Sequence, residues 1–207
     1  MRMNRQGMLI VLSGPSGSGK DTVLGELASL VDDLELSVSL TTRKRRPWEI
    51  DGTHYTFVGR AFFEEKLCNE EILEYTCYNG NYYGTPKNAV DDWLARGKTV
   101  ILKIEVEGAA RIRSLYPDCV SVFLLPPSLE ALSQRLFARE SEDEAEIARR
   151  MEIAKGELAH AKDYDYLILN DVLDYAVSDF RAIIRAERQK TCRREYMISE
   201  VLYHAEC

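Results

Sequence analysis

The segment Met8-Leu9-Ile10-Val11-Leu12-Ser13-Gly14-Pro15-Ser16-Gly17-Ser18-Gly19-Lys20-Asp21-Thr22 decides the fold. Its apolar run predicts a buried strand, and residues 23–30 carry apolar side chains at helical spacing. A strand, a glycine-rich turn ending in lysine and a helix are the context of a phosphate-binding loop. Glycine lets successive backbone N–H groups point at an anion, while the helix N-terminus and Lys20 add positive charge. The segment therefore predicts a site for a nucleoside triphosphate.

The residue after Lys20 departs from the usual pattern of such loops. The consensus places Ser or Thr there, where the hydroxyl reaches Mg²⁺, but this chain has Asp21 followed by Thr22. The cradle of backbone N–H groups does not depend on this position. We therefore expect phosphate contacts along the loop, and we take the Thr22 hydroxyl as the group near Mg²⁺, partly through water.

Composition limits the classes of protein to consider. The 207 residues suffice for one α/β domain with inserted lobes, and 45% hydrophobic with 29% charged residues is ordinary for a globular chain. A net charge of −7 argues against non-specific nucleic-acid binding. Five scattered cysteines without a C-x-x-C pair indicate reduced thiols, not a disulfide framework or a zinc site. No signal peptide or membrane span is evident, so we expect a cytoplasmic protein.

A cationic loop follows a predicted strand at residues 36–40. The loop reads Thr41-Thr42-Arg43-Lys44-Arg45-Arg46-Pro47, four consecutive cations with no carboxylate among them. A solvated run of charge is the common explanation. Hydroxyl groups directly before arginines also describe a site for a phosphate monoester, and this favours binding.

A nearly continuous apolar run over residues 99–106 predicts a central buried strand. Lys103 and Glu105 lie near its carboxyl end, where ligands bind in open α/β sheets. The two charged residues form either a functional pair or an internal ion pair, and the functional interpretation is the stronger one for Glu105.

A charged helical segment follows the strand predicted at residues 120–125. Ser128 is placed to cap a helix whose apolar stripe is Leu129, Leu132 and Leu136. Arginines flank the acidic residues 140–146, and such arginines are more often partners in surface ion pairs than ligands of phosphate. These arginines are Arg135, Arg139, Arg149 and Arg150.

The order of predicted elements is that of a parallel sheet with helices on both faces and two excursions from it. We expect a core formed by residues 1–36, 97–128 and 161–207, a β-rich lobe at 37–96 and a helical lid at 129–160. Two excursions from a phosphate-binding core suit a phosphotransferase that closes over two substrates and excludes water.

Several spaced motifs from Leu9 to about Arg188 resemble those of the guanylate kinases, P-loop enzymes that phosphorylate GMP. Besides the loop at residues 14–22, they are Ser37-Val38-Ser39-x-Thr41-Thr42-Arg43-x-x-Arg46, Tyr55-x-Phe57-Val58, Leu73-Glu74-Tyr75, Gly80-Asn81-Tyr82-Tyr83-Gly84-Thr85, Pro126-Pro127-Ser128 and Tyr164-Asp165-Tyr166 through Asn170-Asp171. Their number and order leave no room for coincidence.

The resemblance implies roles for individual residues. The residues that it implies for binding the GMP phosphate are Ser39, Arg43, Arg46, Tyr55 and Tyr83. Those that it implies for recognising guanine are Glu74 and Thr85, with Glu105 as a second carboxylate near the base. A carboxylate accepts from guanine N1–H and the 2-amino group, a donor pair that adenine lacks. On the ATP side it implies contacts from residues 14–22, Arg135, Arg139, Arg150 and Asn170, with Mg²⁺ near Thr22.

Three positions depart from the family pattern. Lys103 stands where the family usually has an acidic residue that helps to position Mg²⁺, Trp48 where it usually has glycine, and Arg45 where it usually has proline. Lys103 either neutralises part of the transferring charge or slows catalysis, and the sequence leaves both open.

Two rival functions remain at this stage. One is a guanylate-kinase-like binding module without catalysis, although such modules typically have a degraded loop, and Gly14, Gly19 and Lys20 are retained here. The other is a P-loop kinase for a sugar phosphate such as a ribose bisphosphate, suggested by the Gly-Lys-Asp spelling. It would leave Glu74, Tyr83 and Thr85 without a purpose.

Overall fold

The strand β1 (Met8–Ser13) lies at the centre of a five-stranded parallel sheet of order β2-β7-β1-β8-β9. The computed structural model describes residues 7–78, 80–137 and 144–204. The strands are β1, β2 (Leu34–Ser37), β3 (Leu40–Thr41), β4 (Thr56–Phe57), β5 (Ile72–Tyr78), β6 (Asn81–Pro86), β7 (Thr99–Lys103), β8 (Val120–Leu125) and β9 (Tyr166–Leu169). The helices are α1 (Lys20–Leu30), α2 (Arg60–Cys68), α3 (Lys87–Ala95), α4 (Val106–Leu115), α5 (Leu129–Phe137), α6 (Glu144–Ala159), α7 (Leu173–Glu187) and α8 (Thr191–His204), with a 3₁₀ turn at Ala161–Asp163.

Helices cover both faces of the parallel sheet. Successive side chains of a strand point to opposite faces, and every residue of β1 is buried. Ile10 and Leu12 belong to an apolar cluster with residues of α1 and α7, whereas Leu9 and Val11 belong to one with residues of α3 and α4. The predicted fold class, a P-loop type parallel sheet between helical layers, is confirmed.

The parallel arrangement brings the chemistry-bearing segments to one edge of the sheet. The glycine-rich loop follows β1, Lys103 is the last residue of β7, and Asn170 comes directly after β9. Carboxyl ends of parallel strands meet at the same edge, which is where ligands bind in open α/β sheets. The central position of β1 therefore places the loop between the segments that follow β7 and β8.

Two predicted strands are shorter than the apolar pattern indicates. The strand predicted at residues 36–40 is wrong as one element, because β2 ends at Ser37 in the parallel sheet and β3 begins at Leu40 in a second sheet. The strand predicted at residues 99–106 ends at Lys103, and Val106 is already the first residue of α4. There the Ser13 hydroxyl donates to the carbonyl of Ile104 (2.7 Å), so this carbonyl is satisfied outside the sheet ladder.

The second sheet has four strands in the order β4-β3-β6-β5. The β5–β6 pair is antiparallel, and α2 packs beside it with the ring of Phe63 stacked on Tyr82 (5.1 Å between centroids). The strands of this sheet carry Glu74, Tyr83 and Thr85, while Ser39, Arg43, Arg46 and Tyr55 lie in the segments before and after β3. The sheet is joined to the core where α4 meets β5, since the guanidinium of Arg111 donates to the carbonyl of Tyr75.

Helices α5 and α6 form the charged segment after β8. As predicted, the Ser128 hydroxyl accepts from the N–H of Ala131 (3.1 Å) at the start of α5. Leu132 and Leu136 are buried against Ala154 of α6. Leu129 is 38% exposed, so its assignment to the buried stripe is wrong; it is the first helical residue, ahead of the region that α6 covers.

Within residues 7–78, 80–137 and 144–204, no helix is both long and apolar enough to cross a membrane.

Candidate active site

The glycine-rich loop is held in shape by its own backbone. The N–H of Ser18 donates to the carbonyl of Pro15 (3.0 Å), and the N–H of Val23 donates to that of Gly19 (3.1 Å). The Nζ of Lys20 donates to the carbonyls of Gly14 (2.5 Å) and Pro15 (3.1 Å). The ammonium group therefore lies over the loop that would wrap a phosphate.

Two glycines of the loop occupy places where a side chain would collide. Gly19 has a φ of 95°, and a Cβ there would lie 2.3 Å from Nδ2 of Asn170. At Gly14, a Cβ would lie 2.4 Å from the carbonyl oxygen of Leu124 in β8. The loop is thus packed against the carboxyl ends of β8 and β9, which fixes it relative to the sheet.

Side chains from three other segments contact the loop. The Asn170 amide donates to the carbonyl of Ser18 (2.7 Å). Arg135 of α5 donates to the carbonyl of Asn170 (3.2 Å), and Arg150 of α6 donates to the hydroxyl of Ser16. Two of the predicted lid arginines therefore reach the loop, while Arg139 lies outside the described residues. Thr22 is exposed in the first turn of α1.

A carboxylate of the lid, Glu157, faces Lys20. Burial raises the pKa of Glu157 to about 7 even though the charge of Lys20 lowers it. Burial likewise lowers the pKa of Lys20 to about 8, against the raising effects of Glu157 and Asp21. Desolvation disfavours the charged forms of both groups, so holding the two charges in this partly buried place costs free energy.

The cationic loop is organised around Glu49, a buried carboxylate that sequence reasoning missed. Arg43 donates to both of its oxygens (3.0 and 2.7 Å), and the backbone N–H of Arg46 donates at 2.7 Å. Arg45 donates to the carbonyl of Glu49 (2.9 Å). Burial alone would raise the pKa of Glu49, but the hydrogen bonds from Arg43 and Arg46 outweigh it and lower the pKa. The loop has a fixed shape despite its departures at Arg45 and Trp48.

Aromatic rings line the inner side of this loop. The Arg43 guanidinium lies 5.5 Å from the ring centroid of Tyr55, and the rings of Tyr55 and Tyr83 meet edge to face at 5.8 Å. The carbonyl of Ser39 accepts from the N–H of Thr56, next to Tyr55 (2.9 Å). Four members of the predicted phosphate set are therefore close together. The fifth, Arg46, is exposed, with its guanidinium 6.0 Å from the Trp48 ring centroid.

Glu74 and Thr85 form a buried polar pair between β5 and β6. The Thr85 hydroxyl donates to Oε1 of Glu74 at 2.7 Å, and both residues are at most 6% exposed. Burial raises the pKa of Glu74, against the lowering effects of Thr85 and Arg111. On the other side, a Cβ at Gly108 would lie 2.5 Å from Oε2 of Glu74. The first turn of α4 therefore comes close to this carboxylate because position 108 has no side chain.

The two charged residues near the end of β7 have different surroundings. Lys103 pairs with Asp21 of α1, with 2.5 Å between Nζ and Oδ1. Glu105 is the residue directly before α4, and burial raises its pKa while Lys20 lowers it. The ion pair of Lys103 is therefore formed with Asp21, in the first turn of α1, and not with Glu105.

Comparisons with known proteins show the family of the chain. The family model described as "Guanylate kinase" matches residues 6–187. A guanylate kinase of Carboxydothermus hydrogenoformans is 47% identical over 193 residues, which are 93% of this chain and 95% of that protein. One of Methylococcus capsulatus is 49% identical over 183 residues, or 88% and 90%.

The chain belongs to the guanylate kinase family. A solved structure of guanylate kinase from Anaplasma phagocytophilum superposes with a TM-score of 0.77 at 33% identity, covering 92% of this chain and 91% of that one. Nearly the whole chain thus matches family members along nearly their whole length. The resemblance found in the sequence motifs is confirmed.

Two charged residues of this guanylate kinase family site, Glu49 and Glu157, are absent from the sequence prediction. Glu157 lies seven residues after Arg150 on α6, and seven residues are two helical turns, so both side chains share one face. That spacing was a usable signal once Arg150 was assigned to the loop. Glu49 carries no comparable signal, because it lies in an irregular loop three residues beyond the run of cations.

Glu157→Gln is expected to change how stability depends on pH. Because its pKa is raised by folding, native Glu157 retains a proton that the unfolded chain has lost, so wild-type stability falls as pH rises from 5 to 7.5. Glu157→Gln has no carboxylate to titrate, so it does not lose this stability. We expect the free energy of unfolding of the variant, relative to the wild type, to rise by about 1 kcal/mol or more from pH 5 to 7.5, or roughly 2–4 °C in Tm.

Thermal unfolding of the substrate-free protein at several pH values measures this effect. The matched control is Glu152→Gln on the same helix, where the carboxylate is 73% exposed. A Tm difference for Glu157→Gln that does not change with pH would show that the carboxylate does not titrate in this range.

Proposed function

We propose that this chain transfers the γ-phosphoryl group of ATP to GMP and dGMP, giving ADP and the guanosine diphosphate, within purine nucleotide metabolism. The observation that carries this proposal is the buried Glu74–Thr85 pair on the lobe of a chain whose phosphate-binding loop retains its glycines and Lys20. A buried carboxylate is a costly feature of a β-sheet, and a ligand that donates two hydrogen bonds gives it a purpose.

The guanine base is read by Glu74. Its carboxylate accepts hydrogen bonds from N1–H and the 2-amino group of guanine. Adenine has an acceptor at N1 and no 2-amino group, so it would leave the carboxylate oxygens without donors. Thr85 orients the carboxylate through its hydroxyl hydrogen bond. Glu105 supplies the second carboxylate near the base, at the start of α4.

The GMP phosphate is bound by Ser39, Arg43, Arg46, Tyr55 and Tyr83. Glu49 holds Arg43 through two hydrogen bonds, so the guanidinium is positioned before the phosphate arrives. Its remaining N–H groups and the two tyrosine hydroxyls then face the same anion. The cations offset the repulsion between two anionic substrates.

The phosphates of ATP are bound by the backbone of the loop from Gly14 to Thr22 and by Lys20. Arg135 and Arg150 approach the loop from the lid, and Asn170 holds the loop in place on the adenine side. The family resemblance adds Arg139 to the residues proposed to bind these phosphates. The phosphoryl transfer needs no strong general base, because the attacking oxygen of the GMP phosphate is already an anion. Catalysis consists of alignment for in-line transfer and of cations around the spreading charge.

Near the loop, Mg²⁺ would be held mainly by substrate phosphates and water. Among the described residues, no group of three or more His, Cys, Asp or Glu side chains is arranged to hold a metal ion. Mg²⁺ is suited to such a place, since it keeps several waters and binds largely through substrate phosphates. The Thr22 hydroxyl would hold it, partly through water, and the ion would neutralise phosphate charge.

ADP formation from Mg·ATP by the purified protein tests the proposed function. GMP, dGMP, AMP and ribose 1,5-bisphosphate serve as acceptors, and we expect turnover with GMP and dGMP alone. Turnover with the sugar phosphate would favour the rival kinase. Binding of GMP without turnover would indicate a binding module. The substrates are free nucleotides, so we also propose a cytoplasmic location, with neither nucleic acid nor membrane as partner.

A further inference from the structure

Asp21, which departs from the consensus of phosphate-binding loops, contacts Lys103, which departs from the guanylate kinase pattern. Asp21 replaces the usual hydroxyl residue after the loop lysine, and Lys103 replaces the usual acidic residue at the end of β7. They are 82 residues apart in sequence, and their charged atoms lie 2.5 Å apart. The carboxylate missing from position 103 is thus replaced by one on α1, and the site has gained a cation.

The added cation lies between the two predicted phosphate-binding sets. The Nζ of Lys103 is 5.5 Å from the ring centroid of Tyr55, the same distance as the Arg43 guanidinium. On its other side, Lys103 contacts the residue that follows Lys20. Its charge also lowers the pKa of Lys20, so the two ammonium groups act on each other within one cleft.

Stability gives little reason for this pair. Asp21 is 71% exposed and Lys103 24% exposed, and ion pairs with an exposed partner contribute little to stability. The effect of Asp21 is local: it holds the Lys103 side chain in one direction and supplies the anion beside this added cation, as Glu49 does for Arg43. Phosphate groups of the substrates would bring the further negative charge that this cluster accommodates.

We propose, on the basis of the proposed function, that Lys103 is a further phosphate-binding residue, which contacts phosphoryl oxygens between the two substrates, and that Asp21 is its positioning residue. The cation that is unusual for the family is then part of the catalytic centre. The ion pair aims it at the place where charge spreads during transfer.

Titration of the wild type and variants with GMP, without ATP or metal, tests the binding role separately from catalysis. A charge-assisted hydrogen bond to phosphate is strong, so Lys103→Met should weaken GMP binding about tenfold or more. Lys103→Arg should restore most of the affinity. Lys103→Asp should bind more weakly than Lys103→Met, because it adds a negative charge facing phosphate. In the steady state, kcat of Lys103→Met should also fall by about tenfold or more.

The matched control is Lys98→Met. Lys98 precedes the same strand at its other end and pairs with Glu35 at 3.2 Å, with exposure similar to that of Lys103. We expect its GMP affinity and kcat to equal those of the wild type.

A double-mutant cycle with Asp21→Asn tests the positioning role. If Asp21 holds Lys103 in place, Lys103→Met should reduce GMP affinity by a clearly smaller factor in the Asp21→Asn background than in the wild type. Additive effects would overturn that role.

A Lys103→Met variant with unchanged GMP affinity and kcat and a lowered Tm would overturn the phosphate-binding role, leaving a structural ion pair. These results differ from failure of the proposed function itself. In that case the wild type itself would form no ADP with GMP, and if it also failed to bind GMP, both proposals would fall together.

Discussion

Lys20→Met is expected to lower kcat by about a hundredfold to a thousandfold, the cost of removing one charge-stabilising group from a water-excluded site. Lys20 lies over the loop that wraps the ATP phosphates, and its charge is partly desolvated there. The GMP phosphate set lies on the other side of the cleft, around Arg43 and Tyr55. GMP affinity should therefore change by less than about threefold, which corresponds to well under 1 kcal/mol.

Steady-state ADP formation and GMP titration calorimetry measure the two quantities separately. Lys155→Met is the matched control, because Lys155 is a lid lysine that is 51% exposed and pairs with Glu152. Loss of GMP affinity with turnover retained would contradict the role assigned to Lys20. The substitution also removes a buried ammonium group, so unfolding curves of the variant establish that a fall in kcat does not come from lost folding.

Glu74→Gln is expected to lower kcat/KM for GMP by about a hundredfold or more, because a buried site that hydrogen-bonds a substrate group discriminates strongly by that bond. The substitution keeps the size of the side chain but replaces one acceptor oxygen with an amide donor that faces the donors of guanine. IMP has no 2-amino group, so the substitution should lower kcat/KM for IMP by less than it lowers kcat/KM for GMP. The preference for GMP over AMP should fall accordingly.

The measurement is kcat/KM for GMP, IMP and AMP with the wild type and the variant. Glu71→Gln serves as the control, since Glu71 lies just before the same strand and pairs with Lys66 at the surface. If discrimination between GMP and AMP is unchanged in Glu74→Gln, Glu74 is not in the base pocket. If stability falls but the substrate ratios do not change, the pair with Thr85 is structural.

Much of the fold follows from local sequence patterns. The buried run before Gly14, the helical spacing after it and the cap at Ser128 depend on residues that are neighbours in the chain, and the structure confirms all three. The errors occur where the chain passes between structural units. Apolar and polar residues alternate through residues 36–40 although the chain passes there from one sheet to the other. The apolar run continues to Val106, so it gives no sign that α4 begins at that residue.

The candidate site was predicted unevenly for a related reason. Motifs located most of its residues, and the structure brings Arg43, Tyr55 and Tyr83 together on one side and Lys20, Arg135, Arg150 and Asn170 on the other. The roles of these residues stay predictions. Glu49 was missed because nothing in the neighbouring sequence shows that a loop carboxylate is buried. Glu157 was missed because the sequence does not show that its face of α6 is turned toward the glycine-rich loop.

The sequence by itself determined the strand, glycine-rich loop and helix, and with them the family, because propensity, periodicity and motif spacing belong to contiguous residues. Only the tertiary structure decided which charges meet. Asp21 with Lys103 and Arg43 with Glu49 come together through strand order and loop shape, and lid packing brings Glu157 near enough to affect the pKa of Lys20. The free energy of a charge depends on its partners and its burial, and both are set by the folded arrangement of segments distant in the chain.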